Sequence, residues 1–355
     1  MNALNAEERR ILKQFGEQST LKPEEFTFPF ICSEKNPPFL TVAMEEQFVT
    51  LQKQRTLLLP RLNNQATNSI AVFSDYGGEQ KSAQYRTYSF LVVSYDILGN
   101  FFAEMRNQRE LAGMLHPYRE ISYKELKDGP VMRILEPWLI SANNSLCGIL
   151  YNIAIHRELD SIFGLHPKEL TKFLDKETDF DCSAWKPSIV EKALRIVHPL
   201  SYLVALLSRT GQKIFWMTDN DSIASNRKQR KQLGNLLQRT LNLYTKHEGY
   251  ATVDFATPWK NEKEKIPQYD WLDCLSLTDM VAGSLAEMLP LHDEGGVMRV
   301  KKGSNRVLDW LSYQGIGLKK YTLFFRKGEG NLIQSYFLQI KTDDSFETEY
   351  VHLPL

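Results

Sequence analysis

Four acidic residues in separate stretches of the chain, Asp75, Glu120, Asp219 and Asp279, stand where a carboxylate can be put to chemical use. Asp75 follows an apolar, β-rich run, Ser69-Ile-Ala-Val-Phe-Ser74, and precedes Tyr76 and the turn-forming pair Gly77-Gly78. Asp219 repeats this setting after Lys213-Ile-Phe-Trp-Met217. Asp279 lies inside Leu275-Ser-Leu-Thr-Asp-Met-Val-Ala-Gly283, an apolar helical segment in which an acid is costly to bury without compensation. Ala282 and Gly283 would let that helix approach a sheet closely. Glu120 belongs to Arg119-Glu-Ile-Ser-Tyr-Lys124, a short strand before a helix. Each acid also has an ordinary role open to it. Asp75 can bond its own turn, Asp219 or Asp221 can cap a helix, Asp279 can face solvent, and Glu120 can pair with Arg119 or Lys124. If three or four of them converge, they can hold two Mg²⁺ or Mn²⁺ ions ~3.5–4 Å apart, the arrangement that hydrolyses phosphodiesters.

Other chemistries lack their signatures. The seven histidines are scattered, with no H-E-x-x-H, and there is no G-x-S-x-G elbow and no G-x-x-x-x-G-K-[ST] loop. Cys32, Cys147, Cys182 and Cys274 form no C-x-x-C pair, so they read as buried free thiols rather than zinc ligands or a disulfide framework. Lys+Arg and Asp+Glu both number 43. A polyanion partner therefore has to be met by a local basic surface. One is offered after Asp219, where Arg227, Lys228, Arg230 and Lys231 open a helix with an apolar stripe of Leu233, Leu236, Leu237 and Leu241. Cations there oppose the helix dipole, which points to an anionic partner such as phosphate. Lys124, Arg106, Arg109, Arg119, Lys301-Lys302 and Lys319-Lys320 are further candidates.

The elements that must position these residues can be read along the 355-residue chain, whose 43% hydrophobic content suffices for a sizeable core. Two helical patterns, Ala6 to about Gln18 and Thr41 to Leu59, form an N-terminal extension over residues 1–67. Ser69–Ser74 and Tyr85–Tyr95 read as antiparallel strands, followed by a helix from Asp96 to about Leu115 and a short strand, Tyr118 to Tyr123. A helix opening at Gly129-Pro130 leads to Leu146–Ile155, a central buried strand. After an insertion at 156–187 come a long helix to Arg209, the strand Lys213–Met217, the basic helix at about 226–245, the strand Thr252–Phe255 and the helix Leu275–Leu289. Residues 291–355 form a C-terminal extension, with a helix near Arg306–Tyr313 and a hairpin of Tyr321–Phe325 with Leu332–Lys341. The pattern is an α/β fold, a mixed sheet flanked by helices. No secretory signal and no run of ~18 apolar residues is evident, so a soluble, cytoplasmic protein is expected.

The four acidic segments resemble those of the bacterial family catalogued as domain of unknown function 3800. Asp75-Tyr-Gly-Gly resembles its D-E-S-G opening, Glu120-Ile-Ser-Tyr-Lys its E-I-K-[WY] segment, Ile214-Phe-Trp-Met-Thr-Asp219 its later strand ending in Asp, and Leu275-Ser-Leu-Thr-Asp-Met-Val-Ala-Gly its L-Q-L-A-D-x-[LI]-A-G helix. Tyr76, Ser122 and Ser276 stand where that pattern has Glu, Lys and Gln, although Glu79 is near. The resemblance covers about residues 69–290 and implies an RNase H-like core at 68–290, with Asp75, Glu120, Asp219 and Asp279 as catalytic metal ligands for Mg²⁺ or Mn²⁺. It further implies a nuclease acting on DNA or RNA, in bacterial defence or mobile-element biology. Arg227, Lys228, Arg230, Lys231 and Lys124 would hold the nucleic acid. Two alternatives remain open at this point. One is a non-catalytic module that binds nucleic acid or a protein partner, the latter through the C-terminal hairpin; the other is a metal-dependent phosphatase.

Overall fold

Runs of β-branched and aromatic residues too apolar to face water on either side have to become interior strands, and here they form the middle of one sheet. The computed structural model describes residues 6–31, 37–115, 119, 121–178, 180–258, 269–293, 300–328 and 332–340. At the N-terminus, α1 (Ala6–Ser19) leads into β1 (Thr20–Leu21), and α2 (Phe39–Lys53) into β2 (Leu59–Pro60), which pairs with β1. There follow β3 (Ser69–Gly77), β4 (Tyr85–Ser94), α3 (Leu98–Leu111), α4 (Gly129–Ser145) and β5 (Gly148–His156). Then come α5 (Pro167–Glu177), α6 (Pro187–Leu207), β6 (Lys213–Thr218), α7 (Arg227–Tyr244) and β7 (Thr252–Ala256). The chain continues through α8 (Tyr269–Asp293), α9 (Lys302–Leu311), β8 (Leu318–Lys327) and β9 (Ile333–Phe337).

Seven strands form a mixed sheet in the order β7-β6-β3-β4-β5-β8-β9. β3, β4 and β5 are successive antiparallel neighbours; β6 is parallel to β3, β7 to β6, and β8 to β5. Alternation along β3 sends Ile70 and Val72 into one core with α2, α6 and α7, and Ala71 and Phe73 into a second core with α3, α4, α8 and α9. The α/β sheet flanked by helices is therefore as expected.

Several local expectations need correction. β3 runs on to Gly77, so Asp75 lies within the strand rather than after it. Of Tyr118–Tyr123, the described residues are Arg119 and Ile121–Tyr123; none is in a strand, and Tyr123–Glu125 form a 3₁₀ turn. The two N-terminal helices differ: α1 is largely exposed, whereas α2 is built into the core. Leu40, Ala43, Met44 and Phe48 of α2 are buried, and the Phe48 ring lies 5.6 Å from Tyr151 and 5.7 Å from Tyr321. The first strand of the final hairpin is longer than expected and is interior, flanked by β5 and β9. The Lys319-Lys320 pair concealed this, because a lysine's long stem can be buried when its amine finds acceptors. Lys320 Nζ bonds the Asn143 side chain and the Trp310 carbonyl, and Lys319 Nζ bonds the carbonyls of Gly315 and Ile316.

α8 is also longer than expected. Residues 270–291, with mean hydropathy 1.2, are long and apolar enough to cross a membrane by composition, yet 72% of that stretch is buried. This is the burial of a core helix: it lies across β3 and β4. Cys147, Cys182 and Cys274 are free and buried, as expected, while Cys32 lies outside the described residues.

Candidate functional site

The site is built where β3, β6 and α8 meet. Asp75 follows Ala71 and Phe73 on the face of β3 that carries α8, because side chains two apart share a face. β6 runs parallel to β3 with Ser74 opposite Thr218, so the loop that starts at Asp219 leaves β6 at the end of β3 that carries Asp75. α8 crosses above. The Thr87 hydroxyl donates to the Ala282 carbonyl at 2.7 Å, and a β-carbon at Gly77 would collide with that same carbonyl. The small residues around 282 thus do admit the helix to the sheet, with Asp279 one turn earlier.

Electrostatics report the convergence of these acids. Burial, and then the negative charges of Asp279 and Asp219, push the Asp75 carboxyl well above its usual range, with a smaller contribution from Asp221. The Tyr76 N–H, which donates to Asp75 Oδ1 at 2.6 Å, works in the opposite direction. Asp75 and Asp279 are partly exposed and Asp219 is exposed, so all three can be reached from solvent.

Asp279 also has a local partner. Tyr123 N–H donates to Asp279 Oδ2 at 2.7 Å, and the Tyr123 hydroxyl donates to Glu287 Oε2 at 2.8 Å. Lys301 Nζ lies 3.7 Å from the Tyr123 ring centre. Tyr123 therefore spans two turns of α8, from Asp279 to Glu287, and Gly283 between them leaves room for its ring. Glu120 lies outside the described residues. Its neighbour Ile121 is buried in the α8-side core, and Lys124, next to Tyr123, is exposed.

On the other face of β3 stands a second group of polar side chains that motif reading passed over. Tyr76 hydroxyl bonds Thr218 Oγ1 at 2.7 Å and Ser74 Oγ at 2.9 Å. Lys192 of α6 lies over its ring, with Nζ 5.0 Å from the centre. That amine also reaches Asp221 Oδ2 at 2.5 Å and Glu79 Oε1 at 3.0 Å. The available signal was Glu191, Lys192 and Arg195 within a predominantly apolar helix, since charges so placed must find partners. A buried polar row was equally unread. Ser89, paired with Asp75 in the sheet, donates to Asn152 Oδ1 at 2.8 Å, and Asn152 reaches Thr322 Oγ1 at 3.3 Å.

The basic helix forms as expected. Asn226 caps α7 by accepting the Gln229 N–H at 3.0 Å, and the leucine stripe is buried against the α6-side core. No acidic residue occurs in α7. Arg227, Lys228 and Lys231 are exposed; Arg230 is partly so and donates to the Ala224 carbonyl. An open cleft of about 570 Å³ runs along the helix, lined among others by Lys228, Lys231, Asn235, Gln238, Arg239 and Asp181. α7 packs on the opposite layer of the sheet from α8, and Lys228 and Lys231 line the cleft beside Asp181.

Several of the other candidate cations are committed elsewhere. Arg109 is buried and paired with Asp273, with its Nη1 on the Arg119 carbonyl at 2.6 Å. Arg106 pairs with Asp270, and Arg119 with Glu125 and Asp128. Lys319 and Lys320 are buried.

The donors at the sheet end are carboxylates, which suit a hard divalent cation rather than zinc or copper. Among the described residues, no three Asp, Glu, His or Cys side chains are close enough together to enclose an ion. Compared with known proteins, the chain matches no family model, and no curated protein matches it.

Proposed function

We propose that the protein is a metal-dependent nuclease with an RNase H-like core, hydrolysing phosphodiester bonds in DNA or RNA. The observation that carries this reading is the meeting of β3, β6 and α8, which brings Asp75, Asp219 and Asp279 to one end of the sheet; burial and the charges of Asp279 and Asp219 accordingly push the Asp75 carboxyl upward. Acids from three distant segments that repel one another at a solvent-accessible sheet end are costly unless a cation relieves them. The antiparallel start β3-β4-β5, continued by β6 and β7 parallel to β3, supports the RNase H-like core.

Asp75, Asp219 and Asp279, with Glu120, would hold Mg²⁺ or Mn²⁺. A divalent cation bound there supplies activation of water and stabilisation of the leaving oxygen. The chain's own residues do the rest. Asp75 is fixed in the strand with one oxygen on its neighbour's N–H, Asp279 is oriented by Tyr123, and Lys124, Arg227, Lys228, Arg230 and Lys231 attract the phosphate backbone without reading sequence.

The test is calorimetric titration of Mg²⁺ and Mn²⁺ into the wild type, Asp75→Asn and Asp219→Asn, without and with a DNA or RNA oligonucleotide. Binding that is lost in both folded variants supports the reading and leads to cleavage assays. Absence of binding by the wild type with oligonucleotide present rejects it. A second reading is favoured by the Tyr123–Asp279 bond, which gives Asp279 a structural task. On that reading the acids hold the fold, and a partner adds at the β9 edge.

A further inference from the structure

Asp219 has no ladder to hold it: it sits one residue beyond β6, at the exposed start of the loop leading to α7. What fixes that loop is Asp221. Its Oδ1 accepts the Ile223 N–H at 2.9 Å, its carbonyl accepts the Ala224 N–H at 3.1 Å, and its own N–H returns to the Asp219 carbonyl at 3.0 Å. Ile223 and Ala224 are buried, and the Trp185 indole donates to the Ile223 carbonyl. The remaining carboxylate oxygen of Asp221 is taken by Lys192.

Lys192 is itself held. It comes from the middle of α6, whose apolar packing fixes its backbone, and its amine is enclosed by the Tyr76 ring, Asp221 and Glu79. Glu79 belongs to the β3–β4 turn directly after Gly77-Gly78, and Arg157 binds the carbonyls of residues 78, 79 and 80 from the other side. One ammonium thus ties the segment that carries Asp219 to the turn that ends the strand carrying Asp75. A charged amine with two carboxylate partners of fixed origin resists movement better than a neutral contact.

We propose that Lys192 is the positioning residue of the acidic site: by bridging Asp221 and Glu79 it sets where Asp219 stands relative to Asp75. The role rests on the metal-site reading given above. With its amine committed to Asp221 and Glu79, Lys192 acts through Asp221, as an outer-shell partner orients a ligand.

The experiment compares wild type, Lys192→Met, Lys192→Arg and Asp221→Asn, each verified as folded by circular dichroism. Two readouts are taken: Mn²⁺ affinity by electron paramagnetic resonance with an oligonucleotide present, and amide hydrogen exchange over residues 219–224. Lys192→Met is expected to weaken Mn²⁺ binding by about 10- to 100-fold, the range for loss of an outer-shell partner. It is also expected to speed exchange at Ile223 and Ala224. Lys192→Arg should restore most of both, and Asp221→Asn, which reaches the same link from its other end, should shift both in the direction of Lys192→Met. Unchanged exchange over 219–224 overturns the proposal, whatever the cation does. Faster exchange with unchanged Mn²⁺ affinity overturns it too, because the loop would then not matter to the site. A wild type that binds no Mn²⁺ rejects the metal reading and this role with it, while the exchange data report separately whether Lys192 holds the loop.

Discussion

The ring of Tyr123 occupies the space that a side chain at Gly283 would fill: a β-carbon there would collide with Cγ and both Cδ atoms of the ring. The glycine in the D-M-V-A-G segment is thus a seat for an aromatic ring from a segment far away in the chain. With Asp279 on its N–H and Glu287 on its hydroxyl, Tyr123 ties residues 121–125 to α8. Gly283→Ala should displace the ring and lower stability by about 1–3 kcal/mol, as overpacking generally does. Tyr123→Phe should cost only about 1 kcal/mol, since it removes one bond to Glu287 and keeps the ring in place. Denaturant titrations of both variants check this order, and equal losses would contradict it.

Asp75 predicts an unusual pH response. Unfolded, its carboxyl titrates near about 4; folded, it titrates well above that. Between the two values the folded protein binds the proton more tightly, so stability from this group is present at low pH and is lost as pH rises through the folded value. Asp75→Asn should therefore stabilise the metal-free protein at pH 7, by on the order of 1 kcal/mol. Thermal unfolding at pH 5 and pH 7 would show the gain growing with pH. A variant less stable than wild type at pH 7 would mean that the acid is compensated within the fold.

His198 acts with the opposite sign. Burial pulls it down to about 4, with Nδ1 on the Tyr244 hydroxyl at 2.8 Å. The unfolded chain takes up a proton near about 6.5 and the folded one does not, so stability is lost as pH falls between these values, by about 3 kcal/mol in all. The stability of wild type relative to His198→Leu should fall by that amount from pH 7 to pH 4, as denaturation curves would show. A constant difference would rule out a neutral buried imidazole.

Along α7, Lys228, Lys231 and Arg239 face the cleft without an acidic residue in the same helix. If a nucleic-acid strand lies there, replacing all three by Gln should reduce the slope of log affinity against log salt by roughly 2 for a single strand. Fluorescence anisotropy with a labelled oligonucleotide at several salt concentrations measures it, and an unchanged slope would remove the cleft from the binding surface.

Much of this was legible before the fold was known, and what was missed shares a cause. β3, β4, β5, β6, α6 and α7 follow from composition and period, because each is long and locally self-consistent. Asp75 and Asp279 could be picked out because a carboxylate next to a strand-ending glycine pair, or inside an apolar helix, contradicts its surroundings. Lys192 stands out as a charge inside an apolar helix, but its partners Asp221 and Glu79 are distant in sequence; Tyr123 and Ser89 carry no local signal at all, since their meaning lies in α8 and Asn152. The same holds for Arg109, whose charge suggests a surface role although Asp273 pairs with it in the core. β8 is longer than its own residues suggest, because nothing in them says that β5 is its neighbour.

That last pairing governs the order in which the molecule can be assembled. A ribosome releases β5 long before β8, and until Leu318–Lys327 arrives the β5 edge, with Tyr151, Ile153 and Ile155, has no ladder partner on that side. α2 waits as well: Phe48 packs on Tyr321, and the Tyr321 hydroxyl closes on the backbone of Leu58. Segments made far apart in time thus lock each other, so a chain whose synthesis stops before residue 318 should be aggregation-prone through its open β5 edge.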